Sequence, residues 1–470
     1  RTVGRSGLFV GRVFCQAGSR DGKKRAAATF NNNHCPRKTG DMKLRRRIKC
    51  MQTYLQQREA VLHFNQVLDP RDPRGRRWSL SALLSAGLVS LALLARSLRR
   101  AEQLSEDLAG SRLLRRLGIR RRVPDSTLGD ALALVAPAEL LAQLHSQVRA
   151  EHRRKALRPE RLPVGVIAID GKTPAVFEQA ANPYFCQRQG SEGGTERYLY
   201  RVLNATLISS AAAVCVHQMP IPAWTNEMGW FRTVFEQLRA AYGRSELFEV
   251  VTSDAGVISR EHAGWLDELG YGYVVALKDN NPELQLEARG LLQSLAEHEA
   301  PPSEDDGWQC DSSRGWVKRQ LWTSTEIAGW PGWEHLRQVW LVRVWRRKTK
   351  DALVEHLEDR IYATNLPVSH KIRGKLILTL IRSHWRIENE LHGTLDIQMR
   401  EDDPWWVRRG YGLINTGLLR AIAYNLLAIA RAVHLRRDQL VGWQQLRDWI
   451  RDAILWPSLL AETEPGPAPA

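Results

Sequence analysis

The run Val164–Asp170 (VGVIAID) constrains the fold more than any other stretch, because it is apolar or glycine throughout, without alternation, until its last residue. A strand of this kind is buried on both faces and belongs to a sheet covered by helices on either side. It ends on a carboxylate, Asp170. Two more strand-like runs, Tyr200–Leu207 and Ala212–Met219, flank Ser209 and Ser210 as a hairpin. Thr225 or Asn226 then opens a helix with Trp230, Phe231, Val234, Phe235 and Leu238 on one face. Phe248–Asp254 (FEVVTSD) is a second strand ending in a carboxylate. Ser259 caps a helix that stops at Gly270, and Tyr271–Lys278 (YGYVVALK) is another strand. Three strands in a meander, then helices alternating with strands, place the first strand centrally beside the fourth. Asp170 and Asp254 can then reach one another.

Ile381–Asp402 (IRSHWRIENELHGTLDIQMRED) reads as one long helix. His384, Glu388, His392 and Asp396 recur every four residues and share a face, with Trp385, Ile387, Leu391 and Leu395 beside them. At about 100° per residue, Glu390 points roughly 200° away from Glu388. A solvated, salt-bridged surface helix would show the same charge pattern. A zinc site built from His384, Glu388 and His392 is a further alternative, although the His-Glu-x-x-His arrangement of zinc peptidases is absent.

Lys and Arg outnumber Asp and Glu by 68 to 51, a net charge of +17 that favours a polyanionic partner such as nucleic acid. Six scattered cysteines without a Cys-x-x-Cys pair argue against structural zinc and a disulfide framework, and fit a reducing cytoplasm. Trp78–Ala95 is uncharged but holds four serines and has arginines on both sides, so it reads as a buried core helix rather than a membrane span. Residues 1–55 show no sustained period and read as disordered or as a non-native extension. Residues 56–160 read as a small helical domain whose arginine clusters, Arg120, Arg121 and Arg122 among them, could hold a DNA duplex by its phosphates. Residues 283–366 read as an inserted β-rich subdomain carrying five of the seventeen tryptophans between Trp308 and Trp333. Residues 436–470 read as a C-terminal helix and tail.

The segments AIDGKT (Ala168–Thr173), TNE (Thr225–Glu227), VTSDA with YVVALKDN (Val251–Asn280) and RSHWRIENELHGTLDIQMRED resemble the bacterial insertion-sequence transposases of the DDE superfamily, in particular the H-repeat-associated (ISAs-type) group. The resemblance covers roughly residues 60–435. It implies an α/β fold with a ribonuclease H-like catalytic core (161–282 and 367–435), the inserted subdomain, and a helical transposase-associated N-terminal domain. It also implies cut-and-paste transposition at terminal inverted repeats, with Asp170, Asp254 and Glu388 as the catalytic, metal-binding triad. Glu390 and Gly393 depart from the group's pattern, as does the absence of Leu-Arg-Gly after Thr173. The chemistry asks for such a trio independently, since phosphodiester hydrolysis and strand transfer are served by hard cations on carboxylates, magnesium or manganese in its place. Lys172, Lys278 and Arg382 are then expected to meet phosphates. The expected partners are double-stranded DNA, as inverted repeats and target, and a second copy of the chain in the DNA complex. A catalytically inactive descendant that only binds DNA is the alternative.

Overall fold

The computed structural model describes residues 37–59, 61–190, 196–278, 281–311, 315–403, 405–435 and 441–461. The chain divides into two units, Arg1–Leu44 and Arg45–Ala470. Of the first, only the opening turns of helix α1 (Arg37–Glu59) are described. The stretch expected to be disordered therefore holds a helix from residue 37 onward, and in the second unit its Ile48, Met51 and Tyr54 are buried. The remaining residues of that stretch, 1–36, lie outside the described ones.

Five more helices follow: α2 (Leu80–Ala92), α3 (Leu98–Asp107), α4 (Arg112–Arg116), α5 (Asp125–Leu134) and α6 (Pro137–Arg153). Ser79, Ser97 and Ser111 each accept a hydrogen bond from the backbone N–H three residues on, which fixes three of these starts. The apolar segment α2 is almost wholly buried, as expected of a core helix. Pro137 begins α6, which leaves α5 at an angle of 94°.

The sheet contains β1 (Val166–Phe177), β2 (Cys186–Gln189), β3 (Arg197–Leu207), β4 (Val214–Pro220), β5 (Val250–Ser253) and β6 (Gly272–Ala276). It continues with β7 (Ser303–Glu304), β8 (Gln309–Asp311), β9 (Gly315–Ser324), β10 (Gln338–Arg347) and β11 (Glu355–Thr364). Its main path is β2-β3-β1-β5-β6-β11-β10-β9-β7, with β4 on β3 and β8 on β9. β1 runs antiparallel to β3 and parallel to β5, and β5 parallel to β6. α7 (Glu227–Tyr242) and α8 (Arg260–Glu268) make the crossovers. Asn226 and Ser259 cap them as expected, and Gly270 adopts φ +79° just past the end of α8. The β-rich stretch opens with a helix, α9 (Pro282–His298), and β11 pairs with β6, so its strands extend the same sheet.

After the sheet come α10 (Lys375–His384), a π-helical turn (Ile387–His392), α11 (Gly393–Ile397), α12 (Gly412–Ile429) and α13 (Trp443–Ala461). The expected continuous helix is thus interrupted. The Gly393 N–H donates to the Glu388 carbonyl five residues back, the wider ring of a π turn. Among the described residues one helix, Gly412–His434, is long and apolar enough to cross a membrane, and its apolar stretch is buried inside the protein.

Three histidines are folded into apolar surroundings. His145 Nε2 lies 3.1 Å from His217 Nδ1, and His434 Nε2 lies 3.0 Å from the Arg58 guanidinium. Burial lowers His145 and His434 to about 4 and His217 well below its ordinary 6.5. Their folded values lie below the unfolded one, so their contribution is complete above about pH 6.5 and is lost as pH falls toward 4. The thermal midpoint should therefore drop steeply between those pH values, and His145→Gln should flatten the slope. An unchanged slope in that variant would show that other groups set the acid limit.

Candidate active site

Parallel pairing of β1 with β5 sets Ile169 opposite Ser253, so the next residues, Asp170 and Asp254, lie side by side. β1 runs on past Asp170 through a register shift between Lys172 and Ala175, whereas β5 stops at Ser253. The π turn brings Glu388 to the same place, where the charge of Asp254 reaches it. Three carboxylates from three elements therefore share one end of β5.

Their environments differ. Burial raises Asp170 to about 7, with His384 opposing and Asp254, Glu388 and Glu227 adding to the rise. Ionising Asp170 thus costs stability as pH rises, in opposition to the buried histidines. Asp254 is held below the usual carboxylate range by the His384 imidazole, whose Nε2 lies 3.3 Å from Oδ1. Glu388 is raised by burial and by Asp254. The charge of Asp254 adds to the rise of both Asp170 and Glu388, and carboxylates close enough to repel in this way are a donor set suited in chemistry to a hard divalent cation. As they stand, no three His, Cys, Asp or Glu side chains among the described residues converge into a metal-binding group.

The polar stripe is distributed along this edge. His384 Nδ1 lies 3.4 Å from Thr252 Oγ1. His392 Nε2 lies 3.0 Å from Asn204 Nδ2, and its Nδ1 lies 3.7 Å from Asp170 Oδ2. Burial followed by Lys172 lowers His392 to about 3, so its imidazole is neutral. The two imidazoles face different partners instead of closing with Glu388 on one ion. Glu390 faces the other way, where Arg386 holds it through Nε and Nη2 at 2.6 and 2.9 Å and also donates to the carbonyls of Ile208, Ser210 and Ala211.

The basic candidates separate. Lys172, expected on phosphate, is turned inward, its side chain 8% exposed between Asp396 and Glu401. Lys278 is exposed in the cleft beside Asp254, which Arg289, Arg360, Trp385 and His384 also line. Arg360 lies over the Trp385 ring at 4.9 Å. Arg382 is exposed and near Arg161, whose guanidinium is depressed by burial and by Arg386 and Arg382. Arg120, Arg121 and Arg122 are exposed, with Arg121 over Trp78 and Arg122 paired to Glu102 at 3.0 Å.

Glu227, quoted above only within the TNE motif and given no role there, adds its charge beside Asp170. It is the first residue of α7, and a Cβ on Gly171 would lie 1.9 Å from its Oε1, so only glycine beside Asp170 admits that carboxylate. The glycine directly after Asp170 and the acid after the Asn226 cap were the available signals.

Residues 164–426 match the family model described as Transposase DDE domain. The chain is 24% identical over 275 residues to "Putative transposase YncI" of Escherichia coli O157:H7, covering 56% of this chain and 61% of that protein. It is 24% identical over 273 residues to "Putative protein YbfL" of Escherichia coli strain K12, covering 56% and 64%. The chain therefore spans about six-tenths of the length of the curated relatives it matches.

Proposed function

Because the chain belongs to the transposase DDE domain family, we propose that it is the DNA transposase of an insertion sequence of the H-repeat-associated (ISAs-type) group. It would cut DNA at terminal inverted repeats and join the freed end to target DNA. The gathering of Asp170, Asp254 and Glu388 from three elements at the end of β5 carries this reading. The order β4-β3-β1-β5-β6, antiparallel then parallel, supports a ribonuclease H-like core. Residues 161–282 and 367–435 would form it, with 283–366 as an inserted β-rich part and 56–160 as a helical DNA-holding part.

Within this reading Asp170, Asp254 and Glu388 hold the cation, and Glu227 adds charge beside Asp170. When bound, magnesium, or manganese in its place, neutralises charge on the phosphate and acidifies the attacking water. His392, 3.0 Å from Asn204, stands beside Asp170 at 3.7 Å. Lys278, Arg289 and Arg360 would meet the DNA phosphates beside Asp254, and Arg120, Arg121 and Arg122 those farther off. Two copies would pair two element ends in the cytoplasm.

The decisive test is cleavage of an end-labelled duplex carrying the element's own terminal repeat. Nicking at the element end that needs magnesium and stops with EDTA is expected. Binding without cleavage would leave a DNA-binding descendant, and zinc-dependent hydrolysis of another bond would leave a metallohydrolase.

Gly171→Ala tests the fourth carboxylate. The clash falls on the mobile end of Glu227, so the thermal midpoint should move little while excision falls roughly tenfold to a hundredfold, the scale of a displaced site group. Wild-type excision in Gly171→Ala would place Glu227 outside the working site.

A further inference from the structure

Lys172 lies two residues beyond Asp170 on β1, hence on the same face of the sheet. Its ammonium donates to Asp396 Oδ1 at 2.7 Å, Glu401 Oε2 at 2.6 Å and the His392 carbonyl at 3.5 Å. His392 closes the π turn, and Asp396 and Glu401 lie on the segment that leaves it. Glu401 is fully buried, and its other oxygen lies 3.5 Å from Arg420 Nη1 on α12. That guanidinium stacks over Trp405 at 4.9 Å. Arg400, at φ +53°, reverses the chain so that Glu401 folds back, and the Glu401 N–H donates to the Leu395 carbonyl at 2.9 Å. Two cations and two carboxylates balance, so nothing in this set calls for an outside anion.

The same segment is anchored upstream by Arg386, whose guanidinium grips the β3–β4 turn. Glu388 sits between these two anchors, on the π turn itself. A π turn is a wider and less common winding than the α-helix on either side, and it persists where flanking contacts hold it. Sliding or rewinding the segment would move Glu388 relative to Asp170, and the Lys172 tether joins the strand of one to the helix of the other.

We infer that Lys172, with Asp396 and Glu401, is a positioning device that fixes the separation of Glu388 from Asp170 and thereby sets how tightly the site takes a divalent cation. This inference rests on the assignment of those two carboxylates as cation ligands. Lys172 does not touch DNA; it acts through the geometry of the groups that would hold the cation.

The test measures Mn2+ affinity directly, by the electron paramagnetic resonance signal of free Mn2+ titrated into the full chain bound to end DNA. Lys172→Met, Asp396→Asn and Glu388→Gln are compared with the wild type. Asp396 is 36% exposed, so Asp396→Asn loosens the tether in a protein that keeps Lys172 paired to Glu401. Thermal midpoints and gel shifts on the same DNA accompany each titration. Both tether variants should weaken Mn2+ binding about tenfold or more, the scale seen when a group behind a ligand is removed. Gel shifts should stay at wild-type affinity. Unchanged Mn2+ affinity in Asp396→Asn and Lys172→Met, alongside weakened affinity in Glu388→Gln, would overturn the positioning role alone. Unchanged affinity in Glu388→Gln would overturn the cation-site reading on which it rests. Should Lys172→Met fail to fold, Asp396→Asn decides.

Discussion

Glu388→Gln is expected to cut excision by about a hundredfold to a thousandfold while leaving end binding intact. The amide keeps the shape of the side chain and removes one of the negative charges gathered at the end of β5, and loss of a single group that stabilises transition-state charge has that order of effect. Glu390→Gln is the internal control. Its carboxylate is committed to Arg386 on the far side of the π turn, so excision at saturating cation should change little. Its cost falls on stability, at most about 1.5–3 kcal/mol, because a buried guanidinium loses a charged acceptor but keeps three carbonyls. A plasmid excision assay with a gel shift on the same DNA measures both. Loss of excision in Glu390→Gln with survival in Glu388→Gln would refute the proposed triad.

Affinity for end DNA is expected to fall about a thousandfold or more between roughly 50 and 200 mM salt, if the helical region neutralises six to ten phosphates. Arg96, Arg99, Arg112, Arg115, Arg120 and Arg121 are all exposed there. Arg116 and Arg122 already hold Glu59 and Glu102 and contribute less. Replacing Arg120, Arg121 and Arg122 with Ala should weaken binding and flatten the salt dependence while leaving the Mn2+ affinity of bound complexes unchanged. A binding constant indifferent to salt would remove the phosphate-holding role from this region.

The expected strands between Val166 and Ala276 were legible because they are apolar runs and each helix between them carries its own cap, Asn226 and Ser259, whereas the short polar strand β2 (Cys186–Gln189) was not. Such signals are local. The phase of Glu388 against Glu390 was legible as well, since two residues of rotation reach the opposite side of an α or a π turn alike. The π turn itself was not, because Ile387–His392 has the same apolar spacing that an ordinary helix would show. The inward turn of Lys172 was not legible for a related reason: its partners Asp396 and Glu401 lie more than two hundred residues away, and a lysine after a strand resembles any solvated cation. The helix at Arg37–Glu59 escaped notice because its buried residues, Ile48, Met51 and Tyr54, are isolated among charged and polar neighbours. The continuation of the sheet from β6 to β11 depends on pairing Val274 with Thr364, a separation that no local pattern encodes.

That join bears on how such a chain can evolve. Without β11, the apolar strand β6 would present a raw row of backbone donors and acceptors, a template for pairing with any other chain. The strands beyond β6 thus cover its open side whatever else they do. A lineage that discarded them would first have to evolve another cover for that edge, which makes them far easier to embellish than to lose.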